Sequence, residues 1–209
     1  MLIVALNGSP NKNGNTATML KAACSEIESL GGEHVFVQVS ELMSDVKHPF
    51  CMACSNPCTG RCYAGTRLEE TYSLLARADG IIIGSPVYFC TVSGQMKAFW
   101  DKTRILRKNK TLLNTVGGAL AVGGARFGGQ ETTLRAIHDI MLCHGMTVVG
   151  DGYHDADCGH HGGCAQSPSA DDADGLKRVA VLARRVYEVA DATRIIRSRK
   201  AIGQVSSPR

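Results

Sequence analysis

The sequence predicts an α/β fold, with a doubly wound, parallel five-stranded sheet in the order 2-1-3-4-5. Along the 209 residues, short apolar segments alternate with segments in which apolar residues recur at helical spacing. Right-handed crossovers then place helices on both faces of the sheet. The first, third and fourth apolar segments each run into a glycine-bearing loop. In this strand order these three segments are neighbours, so their loops should meet at the carboxyl edge, where such folds bind ligands.

The first apolar segment, 2–6, has no polar interruption, which is typical of a central strand buried on both faces. A Gly-, Pro- and Asn-rich loop ends it. A helix over 17–30 should follow, with Asn15 or Thr16 as its N-cap. The next strand, 33–39, is shorter and more alternating, and we expect it at an edge of the sheet.

The rest of the chain continues this alternation. We predict helices over 67–77, 93–106, 131–144 and 172–197, and strands over 78–84, 116–122 and 146–149. Residues 1–197 are predicted to form a single domain, interrupted by a cysteine-rich loop at 45–66 and followed by a basic tail at 198–209. Within the helix over 93–106, Phe99 and Trp100 stand beside charged residues, a pattern that predicts a subunit-interface anchor.

Composition limits the classes of function. A net charge of +4 without aromatic residues among the basic C-terminal ones argues against nucleic-acid binding. No apolar run reaches the length of a membrane span, and no leader-like segment precedes the first strand. We therefore expect a cytoplasmic protein without a membrane partner. In that compartment, nine cysteines indicate metal or redox chemistry rather than a disulfide framework.

The loop after the first strand has the features of a phosphate cradle. The following helix directs its unpaired backbone N–H groups and the positive end of its dipole into the loop. Neither the dinucleotide-binding glycine pattern nor a P-loop is present. An Asn-rich turn that binds nothing is the alternative. Candidate phosphate ligands in this loop are Ser9, Asn11, Asn13, Asn15 and Thr16.

The loops after the third and fourth strands extend this site. Pro86, Val87, Tyr88 and Phe89 form an apolar, aromatic ledge suited to a flat conjugated ligand, and a phosphate joined to a flat ring system describes FMN. Ordinary core packing is the alternative for the two aromatic residues. The remaining candidate residues of these loops are Ser85, Gly123, Gly124, Arg126 and Gly129.

The segment Gly84-Ser85-Pro86-Val87-Tyr88, together with residues 92–99 and Asp101, resembles the flavin-ring segment of the flavodoxin-like NADPH-dependent FMN reductases. The first and third loops are similar to the same superfamily, so the resemblance covers about residues 1–150. It implies that Ser9, Asn15 and Thr16 hold the phosphate of FMN, that 86–89 line the ring, and that Gly123, Gly124 and Arg126 close over it.

The same resemblance implies a flavodoxin-like fold and a partner that is either NAD(P)H or a small-molecule electron acceptor. It also implies a homodimer or homotetramer, because in such reductases a neighbouring subunit often completes the flavin site.

A cysteine motif, Cys51-x2-Cys54-x3-Cys58-x3-Cys62, is the most specific single feature of the sequence. Its intervening Pro and Gly prevent helix or strand, so the four thiols can wrap one metal centre. The motif resembles that of the iron-sulfur flavoproteins, a branch of the same superfamily, although its middle spacing is one residue longer and its final gap is short. This resemblance implies a [4Fe-4S] cluster. Zinc and free or disulfide-bonded thiols remain the alternatives.

Together these features predict an FMN-dependent enzyme that transfers electrons through FMN and a [4Fe-4S] cluster. One alternative is an NAD(P)H-dependent FMN or quinone reductase without a cluster. Another is a non-enzymatic electron carrier that serves ferredoxin-like partners. A second group of cysteine and histidine residues, at 158–164, is predicted to form a Gly-hinged loop at the flavin mouth, with a metal site as the alternative.

Overall fold

The computed structural model describes residues 1–203, with side chains up to Ser198. It confirms the predicted parallel sheet and its strand order, 2-1-3-4-5, and adds a sixth strand beside the fourth. The strands are β1 (Leu2–Asn7), β2 (Glu33–Gln38), β3 (Gly80–Pro86), β4 (Val116–Gly123), β5 (Thr147–Val149) and β6 (Gly163–Gln166). As expected from its alternating pattern, β2 lies at an edge.

Two strands share one side of β4. The first half of β4 pairs with β5, in the register Val116 to Thr147, and its second half pairs with β6, in the register Leu120 to Gly163. Strands β5 and β6 therefore lie one after the other along the same side of β4, and residues 150–162 form an insertion between them. The sequence did not predict β6, because four residues that begin with Gly carry too little periodicity to stand out within a long polar loop.

Helices cover both faces of the sheet. They are α1 (Asn15–Ser29), α2 (Val39–Asp45), α3 (Arg67–Arg77), α4 (Gly94–Lys102), α5 (Arg104–Lys108), α6 (Gln130–Cys143), α7 (Ala173–Ala192) and α8 (Arg194–Gly203). The core on one face is built with α1 and α7, and the core on the other with α2, α3, α4 and α6.

Several predicted helix bounds need correction. The helix predicted over 93–106 is divided at Thr103, and the one predicted over 172–197 is divided at Thr193. The second piece, α8, runs beyond 197 to Gly203, and residues 204–209 of the predicted tail lie outside the described residues. Helix α2 was not predicted. The N-cap of α1 is Gly14 rather than Asn15 or Thr16, both of which lie inside the helix.

The prediction that Phe99 and Trp100 anchor an interface is wrong. Both rings are buried, and they pack edge to face, with centroids 5.3 Å apart. They belong to the inner face of α4, whereas Lys97 and Asp101 pair on its exposed face. In an amphipathic helix, a buried position and an exposed, charged position can be neighbours in sequence. The charged residues next to Phe99 and Trp100 therefore did not show that these two rings are exposed.

The three strands that lead into the candidate loops form the centre of the sheet. From Ile3 onward β1 is buried, and β4 is buried along its entire length. Among residues 1–203, no helix is both long and apolar enough to cross a membrane.

Candidate functional site

The carboxyl ends of β1, β3 and β4 bring the three predicted loops together. Asn7 lies beside Gly84 in the sheet, and Pro86 lies beside Val122. Two hydrogen bonds then join the first loop to the second: the Gly8 N–H donates to the Gly84 carbonyl (2.8 Å), and the Ser93 hydroxyl donates to the Gly8 carbonyl (2.5 Å).

Side chains of the first loop shape its backbone through a series of local turns. The Ser9 N–H donates to Asn7 Oδ1, the Asn11 N–H to Ser9 Oγ, and the Asn13 N–H to Asn11 Oδ1, each at 3.1 Å. Such bonds two residues apart hold an irregular backbone in one conformation. The loop is thus ordered ahead of α1, whose first N–H groups lack partners within the helix.

Asn15 and Thr16, both predicted phosphate ligands, lie in the first turn of α1. The Asn15 amide is engaged at both ends: Nδ2 donates to Ser167 Oγ (2.9 Å), and Oδ1 accepts from the Ser169 N–H (2.9 Å). Its side chain therefore ties α1 to the segment after β6. The Thr16 side chain is almost fully buried, and its hydroxyl has no hydrogen bond within the described residues.

Lys12, the cation of the first loop, forms an ion pair with Glu41 of α2. Glu41 also pairs with Arg67 at the start of α3 (3.3 Å). The bond from Lys12, reinforced by the charges of both cations, lowers the pKa of the Glu41 carboxyl. The first loop is thereby fastened to the helices on its own side of the sheet.

The second loop is a tight hairpin between Tyr88 and Thr91, whose backbones exchange two hydrogen bonds (3.0 and 3.1 Å). The two residues at its tip, Phe89 and Cys90, have left-handed φ angles of 50° and 61°. That conformation is uncommon for residues other than Gly, and it costs about 1–3 kcal/mol at each position. Tyr88 is 44% exposed and Phe89 fully exposed, so core packing explains neither aromatic side chain.

Ser85, by contrast, faces the interior. Its hydroxyl donates to the Pro86 carbonyl (2.8 Å) and accepts from the Ser93 N–H (3.0 Å). The geometry therefore gives the Ser85 side chain a role in positioning the second loop at the start of α4.

The third loop packs directly against the second. Gly129 has a φ of 100°, and a Cβ atom at this position would lie 2.8 Å from Cys90 Sγ. The buried Gln130 side chain holds the loop from within, since Nε2 donates to the Ala125 carbonyl (2.5 Å) and Oε1 accepts from the Gly128 N–H (3.0 Å). Gly123 packs on that same amide.

The exposed side of the third loop remains open. A Cβ atom on Gly124 would meet no other atom within 4 Å. Arg126 and Phe127 are both exposed, and Phe127 is almost completely so. The open backbone and the cationic side chain thus lie on the side from which a flat ligand could approach.

The cysteine loop follows α2 and crosses to the far end of α4 and α6. Cys51 lines a largely apolar groove of about 520 Å³ with Trp100, Cys143 and His144. Since β5 begins a few residues after His144, this end of α6 lies at the amino edge of the sheet. The loop therefore reaches from the carboxyl edge, where β2 ends, to the amino edge of the sheet.

The thiols of this loop differ in exposure: Cys51 and Cys58 are half-buried, whereas Cys54 and Cys62 are exposed. Ala53 (φ 47°) and Gly60 (φ 75°) adopt left-handed conformations that turn the backbone between them. Iron-sulfur clusters in proteins are bound by four such cysteine thiolates.

A buried polar atom without a partner lies beneath the loop. The Tyr72 hydroxyl has no hydrogen bond within the described residues, and Tyr63 of the loop packs edge-on against its ring (4.8 Å). Within residues 1–203, no three His, Cys, Asp or Glu side chains lie close enough to hold a single metal ion. A cubane cluster takes one thiolate at each of four irons, so its ligands stand further apart than those of one ion. The chemistry of the donor set, four thiols on one loop, fits a cluster.

Comparison with known proteins supports the flavin assignment. The sequence profile of the NADPH-dependent FMN reductase family matches residues 1–160. The chain belongs to this family. Its members are FMN-dependent oxidoreductases, and this protein is therefore a flavin-dependent oxidoreductase that uses FMN.

Among its relatives are proteins named for both a flavin and iron-sulfur chemistry. An iron-sulfur flavoprotein of Methanocaldococcus jannaschii is 40% identical over 192 residues, which cover 90% of this chain and 97% of the relative. An iron-sulfur flavoprotein of Methanosarcina thermophila is 37% identical over 194 residues, covering 90% and 95%. The resemblance to this branch of the FMN reductases is thereby confirmed.

A solved structure agrees on the fold. The WrbA-like flavodoxin protein of Agrobacterium tumefaciens aligns with a TM-score of 0.65 at 21% identity, covering 91% of this chain and 97% of the other. At this identity the likeness concerns the flavodoxin-like fold alone.

In this FMN reductase, the supporting residues were harder to predict than the loops. No role was predicted for Asn7 or Gln38, although Asn7 Nδ2 donates to Gln38 Oε1 (2.7 Å) and Gln38 Nε2 donates to the Ser9 carbonyl (2.6 Å). Ser93 and Gln130 were missed in the same way. A polar residue at the end of an apolar strand was the available signal for Asn7, which is fully buried.

The insertion between β5 and β6 borders a second cavity, of about 580 Å³, which Arg126 also lines. Cys164 lies on this cavity, and burial, with Glu131 and Asp151 nearby, raises the pKa of its thiol to about 12. Arg178 fastens the insertion to α7 by pairing with Asp157 (2.7 Å) and with the buried Asp151 (3.3 Å). These ion pairs hold the insertion in place next to the third loop.

Proposed function

We propose that the protein carries FMN and a [4Fe-4S] cluster and passes electrons between a donor, NAD(P)H or a ferredoxin-like protein, and a small-molecule acceptor. The observation that carries the proposal is the turn-rich loop of Cys51, Cys54, Cys58 and Cys62 in an FMN reductase, lying over an unpaired buried hydroxyl. When bound, FMN can take up one or two electrons and a cluster one at a time.

For the phosphate of FMN, we propose the hydroxyls of Ser9 and Thr16 and the backbone N–H groups at the start of α1. Asn11, Asn13 and Asn15 keep the loop and helix in place through the bonds described above. An anion at a helix N-terminus is stabilised by both the N–H groups and the dipole.

For the ring, we propose the ledge formed by Pro86, Val87, Tyr88 and Phe89, with Gly124 and Arg126 on the opposite side. Gly124 leaves room for close approach of the backbone, and Arg126 offers a positive charge. Ser85, Gly123 and Gly129 support these contacts by fixing the loops against one another.

A groove beside the cysteine loop supports an acidic protein as one-electron donor. It has a volume of about 640 Å³ and is lined by Pro57 and Cys58 and by four basic side chains. Basic residues around a redox centre speed encounter with an acidic partner by electrostatic steering. The basic residues are Arg104, Arg107, Lys108 and Lys110.

We also propose a homodimer or homotetramer in the cytoplasm. Phe89 and Phe127, on two different flavin loops, are almost fully exposed, and Tyr88 is partly so. Exposed aromatic side chains grouped at one edge commonly mark an interaction site. A second copy that covers them would also shield the flavin site.

An FMN or quinone reductase without a cluster is the second candidate. Its specific support is a relative named NAD(P)H dehydrogenase (quinone), from Trichlorobacter lovleyi, which is 33% identical over 141 residues and covers 67% of each chain. In that case hydride transfer from NAD(P)H would suffice for activity, and the cysteine loop would have another role.

Anaerobic reconstitution with iron, sulfide and FMN tests the proposal. We expect about four irons and four sulfides per chain in the wild type, in keeping with a cubane on four thiolates. In Cys51→Ser the cluster should be lost or damaged while FMN stays bound, since other loops hold the flavin. Reduction by a one-electron donor should then slow, and stopped-flow reduction by NADPH should be preserved.

The matched control is Cys143→Ser, which removes an exposed thiol from the same groove but from outside the cysteine loop. It should keep its full complement of iron. Stoichiometric zinc without iron, or a disulfide among the four cysteines in protein purified without oxygen, would favour the cluster-free reductase.

A further inference from the structure

The hydroxyl of Tyr72 is in an unusual position for a polar group. Tyr72 lies on α3, is only 4% exposed, and has no hydrogen-bond partner for its hydroxyl within the described residues. A buried hydroxyl without a partner costs about 1–3 kcal/mol, so most such groups in folded proteins are paired.

The surroundings of this hydroxyl are the cysteine loop and the aromatic core. Tyr63, which follows Cys62, packs edge-on against the Tyr72 ring on one side (4.8 Å), and Phe99 packs on the other (6.0 Å). Tyr63 of the cysteine loop thus packs directly on the ring that carries this unpaired hydroxyl.

Three of the four candidate ligands lie within electrostatic range of this one hydroxyl. Burial raises the pKa of Tyr72, and Tyr63, Cys62, Cys58 and Cys51 raise it further. Tyr72 therefore keeps its proton and remains a hydrogen-bond donor among thiolates, which are acceptors.

We propose that Tyr72 donates a hydrogen bond to sulfur in the cluster held by Cys51, Cys54, Cys58 and Cys62, and that this bond sets the reduction potential of the cluster. The inference rests on the proposed function. It assigns Tyr72 a positioning and tuning role and no part in ligation.

The expected direction follows from charge. Reduction adds negative charge to a cluster and its sulfur atoms, so a donor to sulfur stabilises the reduced form more than the oxidised form. Removal of the donor should therefore make the potential more negative. Replacement by Phe suits the site, because it keeps the ring that packs between Tyr63 and Phe99 and removes only the hydroxyl.

The test compares reconstituted wild type, Tyr72→Phe and Tyr187→Phe. Tyr187 lies on α7, on the other face of the sheet. Tyr187→Phe is the matched control, because it also removes one tyrosine hydroxyl. Redox titration followed by absorbance and EPR should show the reduction equilibrium of the cluster weakened about tenfold in Tyr72→Phe, which is about 59 mV for a one-electron couple. Tyr187→Phe should match the wild type, and all three proteins should contain equal iron and sulfide.

A second measurement uses the same proteins without iron. Because the hydroxyl has no partner there, cluster-free Tyr72→Phe should unfold at the same temperature as cluster-free wild type or at a higher one. A clear loss of stability would mean that the hydroxyl is already paired, and it would overturn the inference.

Two further results would overturn it. One is an unchanged potential in Tyr72→Phe with a full complement of iron, which would leave the proposed function intact. The other is a folded Tyr72→Phe that takes up less than half the iron of the wild type, since Tyr72 would then be needed for assembly. A wild type that binds no cluster would remove the proposed function and this inference together.

Discussion

Thr16 lies almost fully buried at the mouth of the phosphate loop, and its hydroxyl has no hydrogen bond within the described part of the chain. If this hydroxyl bonds the phosphate of FMN, Thr16→Val keeps the side-chain shape but removes one hydrogen bond to a charged group. The expected loss is about 1.5–3 kcal/mol, or about ten- to a hundredfold in FMN affinity. Fluorescence titration of the apoprotein measures it.

Thr18→Val is the matched control, because the Thr18 hydroxyl bonds the Gly14 carbonyl of its own helix (3.4 Å). It should bind FMN as the wild type does. Riboflavin, which lacks the phosphate, should bind weakly and equally to all three proteins. Equal affinity of the wild type for FMN and riboflavin would refute the phosphate assignment.

His144 gives the cluster-free protein a pH dependence of defined sign. Burial, and then the charge of Arg107, lower its pKa to about 4. The Thr103 hydroxyl donates to the Trp100 carbonyl (2.6 Å), so it accepts from neutral His144 at Nε2 (2.9 Å). Between about pH 4 and pH 6.5 the unfolded chain therefore binds the extra proton, and stability falls as pH falls through this window.

His144→Gln should remove the contribution of His144 to the pH dependence of stability, while the Gln amide can still form a hydrogen bond with Thr103. The stability difference between wild type and variant should shrink by up to about 1.4 kcal/mol per pH unit from pH 6.5 towards pH 4. Urea unfolding at several pH values measures this. A difference that stays constant with pH would contradict the depressed pKa.

At the scale of elements, the packing of the second loop against the third depends on the contact between Cys90 and Gly129. Gly129→Ala would put a Cβ atom 2.8–2.9 Å from Cys90 and would force Ala into a φ of 100°. We expect a loss of unfolding free energy of at least about 1–3 kcal/mol, and weaker FMN binding, because both loops must shift. Thermal and urea unfolding of the apoprotein, followed by FMN titration, test this.

Gly124→Ala is the control within the same loop, since its Cβ atom would meet open space. Apoprotein stability should remain that of the wild type. Weaker FMN binding by this variant alone would indicate that the Gly124 backbone approaches the flavin. Equal destabilisation by both substitutions would show that the contact with Cys90 is not the cause.

The predictable part of the fold was the part with strong periodicity. Continuous apolar strands such as β1 and β4, and the loops that follow them, gave the sheet order and the meeting of three loops. The short β6 and α2 carry too few residues for a periodic signal. Side chains such as Asn15 were assigned to the ligand because local sequence does not show a partner 152 residues away.

At the scale of the whole molecule, the exposed aromatic residues of the flavin loops predict self-association. Phe89→Ser combined with Phe127→Ser should shift a homo-oligomer towards monomer, because it removes the two most exposed aromatic side chains from one edge. Sedimentation at micromolar concentration measures the change. Leu142→Ser, at an exposed apolar position on α6, is the control and should leave assembly unchanged. A wild type that is monomeric and fully loaded with FMN would contradict the prediction.

Two short strands, β5 and β6, take the place of one long strand beside β4. This division also affects the tendency of the sheet to form fibrils. A sheet edge recruits strands from other molecules when it offers a long, flat, continuous row of unpaired backbone groups. Here that edge consists of three residues of β5 and four of β6, separated by the insertion at 150–162. At the opposite edge, β2 begins with the exposed Glu33, and a charged side chain discourages docking of another strand. The apoprotein should therefore resist the formation of cross-β aggregates before FMN binds.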